Sequence, residues 1–163
     1  MDAILSEWAE FNLAMAGATA ALAGLVIVAA SVNIAEIVRT GTITARLAAA
    51  IASLVLALVA SALGLVPSIS AAWFGGILLC TALGSAVFQI HAARKIIADT
   101  SPDVRAPILK SVLGFLPVAA YVASAVTVMF EHPSGLYFGA AGCVLAIVAA
   151  IVVSWVALVE VLR

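Results

Sequence analysis

Val66-Pro67-Ser68-Ile69-Ser70 lies inside the longest uncharged stretch of the chain, between Arg46 and Arg94. A helix needs about 20 apolar residues to cross the hydrocarbon core of a bilayer, and this stretch is long enough for two crossings. Proline ends the incoming helix, because the residue before it is pushed out of the helical region. A serine hydroxyl satisfies the free N–H groups of the outgoing helix, so Ser68 or Ser70 is the candidate N-cap. The pentapeptide therefore predicts two membrane helices, over residues 45–66 and 71–93, joined by a tight turn.

The same reasoning extends in both directions. No charged residue occurs between Glu10 and Glu36, which predicts a span over 11–35. Beyond the central pair, Asp99-Thr100-Ser101-Pro102-Asp103 reads as a helix start, with Ser101 as N-cap and Pro102 at the first helical position. The span that follows, 108–130, contains Pro117, which membrane helices tolerate. Glu131-His132-Pro133-Ser134-Gly135 is a polar turn before a last span over 136–159. The expected fold is all-α: a single transmembrane domain, 1–163, forming a polytopic bundle of about five helices. The alternative is four spans with one helix lying in the interface.

Composition agrees with a membrane class. The 163 residues are 66% hydrophobic and 9% charged, against about 25% charged in ordinary soluble domains. So few charges cannot cover a water-facing surface. A net charge of −1 speaks against nucleic acid, which selects basic surfaces. Cys80 and Cys143 both sit in apolar runs, which excludes a secreted disulfide framework. Asp2, Glu7 and Glu10 without any basic residue make the first ten residues unlike a signal peptide, and no lipidation motif is expected.

Arg39, Arg46, Arg94, Lys95, Arg105, Lys110 and Arg163 are all of the basic residues. With five spans they fall on one face, which the positive-inside rule makes cytoplasmic. The N-terminus is then outside and the C-terminus cytoplasmic. Trp8, Phe11, Trp73, Phe74, Phe130, Tyr137 and Phe138 fall at the opposite ends, as an outer aromatic belt. Four spans would break both patterns.

Lipid tails are as apolar as leucine, so close backbone approach and hydrogen bonds must hold membrane helices together. Small residues recur at helical spacing in four spans: Gly17, Ala20, Gly24 and Ser31; Ala50, Ser53, Ala57, Ala60 and Gly64; Gly75, Ala82, Ala86 and Ala93; Gly139, Gly142, Ala146 and Ala149. Steps of three and four place each set on one helix face. Packing within the chain is the main expectation, with Gly17, Gly24, Gly64, Gly75, Gly139 and Gly142 as close-approach positions. Some of these faces could instead meet another subunit, in a homo-oligomer or with a membrane partner.

Little chemistry is in view. Ionisable residues in mid-span mark proton relays and ion pathways, and none occurs here. Five spans do not divide into two inverted repeats, the usual transporter plan. His91 and His132 fall at opposite ends, so they cannot share a metal. No Ser–His–acid set, catalytic carboxylate pair or phosphate-binding glycine loop is present. No enzyme, cofactor or metal is expected. Scattered hydroxyls such as Thr19, Ser53, Thr81, Ser124 and Thr127 bond to backbone carbonyls or neighbouring helices, or line a weakly selective pore.

The basic face carries the interaction candidates. Asn33, Glu36 and Arg39 lie on one helix side, and Gln89, His91, Arg94 and Lys95 close the third span, with Arg46 nearby. The plain reading is topogenic charge facing anionic lipid headgroups. The functional one is a docking surface for a partner.

The run Phe11-Asn12-Leu13-Ala14-Met15-Ala16-Gly17-Ala18-Thr19-Ala20-Ala21-Leu22-Ala23-Gly24-Leu25, followed by Val28 to Ile34, resembles the first helix of small bacterial, often actinobacterial, multi-pass membrane proteins of uncharacterised function. Some of these are labelled as modulators of a membrane-bound AAA protease. The resemblance implies a bacterial cytoplasmic (inner) membrane and a non-enzymatic role, and supplies no catalytic residue. The expected function is that of a non-catalytic subunit or modulator of a membrane complex acting through helix–helix contacts. The alternative is a homo-oligomeric channel for ions or small solutes, with a Ser/Thr/Gly/Ala-lined pore.

Overall fold

In the computed structural model, the described residues are 2–32, 34–39, 41–98 and 107–161, with side chains described over 5–32, 34–35, 37–39, 41–98 and 112–157. Asn33, the expected helix start at Ser101-Pro102, Arg105 and Arg163 lie outside these residues, as do the side chains of Glu36 and Lys110. The elements are all helices: α1 (Asp2–Glu7), α2 (Ala9–Val32), α3 (Ile34–Arg39), α4 (Gly41–Leu63), α5 (Ala71–Ala98), α6 (Pro107–Met129) and α7 (Ser134–Val161). Five of them, α2, α4, α5, α6 and α7, are long and apolar enough to cross a membrane. The protein is an all-α multi-pass membrane bundle.

The central turn forms as its residues dictate. Ser68 takes a left-handed backbone, with φ 55°. The Ser70 hydroxyl accepts the Trp73 N–H at 3.3 Å, and the Ser70 carbonyl accepts the Phe74 N–H. Ser70 is thus the N-cap of α5, holding a donor that the first helical turn leaves free. At the other connection on this side, α6 ends in a Schellman motif. Glu131 N–H bonds the Val128 carbonyl and His132 N–H bonds the Thr127 carbonyl, with Glu131 at φ 58°. The first connection differs from expectation. Beyond the expected end of the first span at 35, α3 is helical to Arg39, and α4 begins at Gly41 rather than at 45. Ile37 is buried against α4, and the Thr44 hydroxyl donates to the Ile37 carbonyl at 2.7 Å, satisfying a C-terminal carbonyl of the short helix.

Helices α4, α5, α6 and α7 form a four-membered ring: α4 packs on α5, α5 on α6, α6 on α7 and α7 back on α4. Each neighbour pair is antiparallel by connectivity, and the short turns keep consecutive helices adjacent. Helix α2 lies outside the ring, mainly against α4 and less against α7. Its membrane-length window is 11% buried, against 50% for α4.

Three of the four small-residue faces are buried within the bundle. Ala50, Ser53 and Ala57 are buried on α4 and Gly64 just past its end, Gly75 and Ala82 on α5, and Gly142 and Ala146 on α7. At Gly75 a Cβ would stand 2.8 Å from the Ala125 carbonyl on α6 and would collide with Met129. At Gly142 it would meet the Tyr121 ring at 3.0 Å, at Gly139 the Ser124 hydroxyl at 3.1 Å, and at Gly64 the Asn12 side chain. The face on α2 behaves differently. Gly17, Ala20, Gly24 and Ser31 are all exposed, and a Cβ on Gly17 or Gly24 would meet nothing within 4 Å. The expectation that these two glycines pack within the chain is corrected. The side of α2 turned to α4 carries Thr19 and Val26, half a helical turn away from the small stripe.

One aromatic also changes place. Trp73, Phe130 and Tyr137 are exposed at one end of the bundle, but Phe74 is 4% exposed and belongs to the core with Leu78, Tyr121 and Val128. Adjacent helical residues point about 100° apart, so Trp73 faces outward while Phe74 faces in. Trp8, at the break between α1 and α2, stacks edge-on against Phe11 and Tyr137 at 5.6 and 5.1 Å, and Leu5 of α1 joins the core beneath.

Candidate functional site

Two places within the bundle hold polar side chains. The first is a cavity of about 140 Å³ between α4, α5, α6 and α7, at the end of the bundle where α4 starts and α5 finishes. Ser53 and Gln89 sit in its wall and Arg46 at its outer end, the remaining lining being aliphatic apart from Gly114. An amide in an apolar helix must find a partner, because lipid offers none. Gln89 Nε2 donates to the Ala49 carbonyl at 3.1 Å and to the Ser53 hydroxyl at 2.9 Å. Gly114 makes room for the other end of the amide: a Cβ there would stand 2.6 Å from Gln89 Oε1. Gln89 therefore ties α5 to α4 while its carbonyl oxygen faces α6.

The α6 wall carries a second consequence of sequence. Pro117 has no N–H, so the Leu113 carbonyl four residues earlier lacks its helical donor, and Leu113 lines the cavity. On the far side of Pro117, α6 and α7 are in close contact. The Ser124 hydroxyl donates to the Gly135 carbonyl at 2.7 Å, and Tyr121 lies on Gly142.

The second place is a smaller void of about 30 Å³ towards the aromatic end, lined by Asn12, Ser61, Tyr121, Ser124 and Cys143 under the Trp8 cluster. Tyr121 is fully buried, and its hydroxyl has no hydrogen-bond partner among the described residues. The void exceeds the ~10–15 Å³ needed for one water and has several polar neighbours, the conditions for an ordered water.

The sequence-derived candidates divide. Arg46, which is half-buried, and Gln89, which is 7% exposed, share the cavity. His91, Arg94 and Lys95 are exposed on the last turns of α5 and do not line it, and Arg39 is exposed at the end of α3. Nothing in the sequence marks Ser53, Gly114 or the cavity itself as a site. Gln89 was the available signal, but periodicity could not name its partner. Cys80 is exposed and Cys143 buried, both as free thiols. The hydroxyls of Thr19, Ser31, Thr81 and Thr127 each donate to a carbonyl of their own helix. Among the described residues no three His, Cys, Asp or Glu side chains converge. Compared with protein-family models, curated proteins and solved structures, the chain matches none.

Proposed function

We propose that the protein is a non-catalytic subunit or modulator of a membrane complex, acting through the outward face of α2 in a bacterial cytoplasmic membrane. The observation that carries this reading is the stripe Gly17, Ala20, Gly24 and Ser31, small along its length and turned away from the rest of the chain. A helix that meets only lipid gains nothing from small residues, whereas a helix that meets another helix gains close backbone contact. The partner is a transmembrane helix, of a second copy or of another protein, with Arg39, Arg94 and Lys95 presenting positive charge on the cytoplasmic side. A hydroxyl-lined channel has less support, since Thr19, Ser31, Thr81 and Thr127 spend their donors on their own helices.

The test is the mass of the complex extracted in native lipid, for the wild type and for Gly17→Leu/Gly24→Leu. A defined assembly that falls to monomer in the double variant supports the reading. A wild-type monomer, or an assembly indifferent to the two leucines, overturns it.

A further inference from the structure

We propose that the cavity between α4, α5, α6 and α7 holds a segment of an acyl chain of an anionic phospholipid, with the lipid phosphate at Arg46. This inference is independent of the partner assigned to α2.

The entrance faces the membrane. Leu113, Leu116, Val148 and Val152 line the cavity, yet they are 49, 40, 52 and 51% exposed. Residues that line a cavity and also face outward mark a lateral cleft, here between α6 and α7. An occupant enters from the lipid rather than from water.

The interior suits hydrocarbon. Its walls are mostly alanine, valine, leucine and isoleucine, and apart from Arg46 at the outer end its polar side chains, Ser53 and Gln89, already bond each other. At about 140 Å³ it is close in size to the engineered apolar cavity that stays dry and admits benzene. A chain segment packed against this lining gains dispersion contacts along its length.

Depth and charge then select the lipid. From Arg46 to Ser53 the helical rise is about 10 Å, against a leaflet of about 15 Å of hydrocarbon. A chain occupying the cavity thus leaves its headgroup level with Arg46. A guanidinium has five N–H donors and binds phosphate in a forked geometry. Arg94 and Lys95, at the same end of the bundle, add a positive field that favours an anionic headgroup over a zwitterionic one.

The experiment is native mass spectrometry of the full-length protein in detergent, titrated with phosphatidylglycerol or with phosphatidylcholine bearing identical chains. One phosphatidylglycerol is expected to be retained at about tenfold lower concentration than phosphatidylcholine. Arg46→Gln should bring the two lipids within about twofold, while Arg94→Gln, outside the cavity, keeps most of the preference. Ala149→Leu, which fills the cavity, should abolish retention of either lipid. Should that variant fail to fold, phosphatidylglycerol with a diazirine in its chain gives the second readout on the wild type. Labelling concentrated at Ala93, Leu116 and Ala149 supports the site, and labelling spread evenly over outward residues such as Val28 and Val87 overturns it. Equal retention of phosphatidylcholine overturns the headgroup assignment. Preferential retention of a free fatty acid over both phospholipids overturns the choice of occupant.

Discussion

Glu131 holds a left-handed backbone, φ 58°, as the C′ residue of the Schellman motif that ends α6. A side chain in that conformation costs about 1–2 kcal/mol relative to the right-handed form, and glycine relieves it at the expense of a more flexible unfolded chain. Glu131→Gly is expected to stabilise the protein by about 0.5–1 kcal/mol, read by thermal or SDS unfolding monitored by circular dichroism. Gln89 gives the opposite case. Its amide is buried and joins two helices through Ser53 and the Ala49 carbonyl. A double-mutant cycle of Gln89→Leu and Ser53→Ala should return a coupling of about 0.5–1.5 kcal/mol, the range of interhelical hydrogen bonds in membranes. A coupling of zero would mean that the contact is replaced within each helix. A polar residue in an apolar helix announced its need for a partner from sequence alone. The identity of that partner depends on how α5 slides and turns against α4, which one-dimensional spacing does not hold.

At the scale of the element, four helices carry similar small-residue faces with different fates. Gly75 lies 2.8 Å, measured from its would-be Cβ, from a carbonyl of α6. A backbone atom cannot swing aside, so Gly75→Val must push α5 from α6 and should cost about 1–3 kcal/mol of unfolding stability. Gly17→Leu and Gly24→Leu enter open space, so each should leave the unfolding midpoint unchanged while removing the assembly predicted above. Equal loss of stability at all three positions would show that the α2 face packs within the chain after all. The steps of three and four in the sequence identify each face correctly as a face. In a soluble helix, polarity would say which face turns inward. Here lipid and core are both apolar, so that contrast is missing and the periodicity leaves the direction open.

In the whole molecule, α4 is the hub, touching α2, α5 and α7, while α2 is carried on the outside of a closed ring. Closing the ring leaves the α6–α7 seam tight at Ser124–Gly135 and Tyr121–Gly142 and cleft near Leu113 and Val152. Pro117 stands between the two regions, where α6 lacks one backbone donor. Pro117→Ala restores the donor to the Leu113 carbonyl and is expected to weaken phosphatidylglycerol retention severalfold by regularising the α6 backbone beside the cleft. Unchanged retention would separate the cleft from the proline.

The sequence by itself determined the number of membrane helices, their limits to within a few residues at most ends, a serine cap at residue 68 or 70 and the clustering of basic residues at one end. These follow from local quantities: the length of an uncharged run, the chemistry of a turn and the cost of a charge in hydrocarbon. Only the tertiary structure decided that α2 stands outside the ring, that Phe74 is core while Trp73 is surface, and that Arg46, Ser53, Gln89 and Gly114 surround one cavity. Those outcomes depend on the rotation and register of each helix. In a membrane they are set by close packing and scattered hydrogen bonds between distant residues, and no single segment contains them.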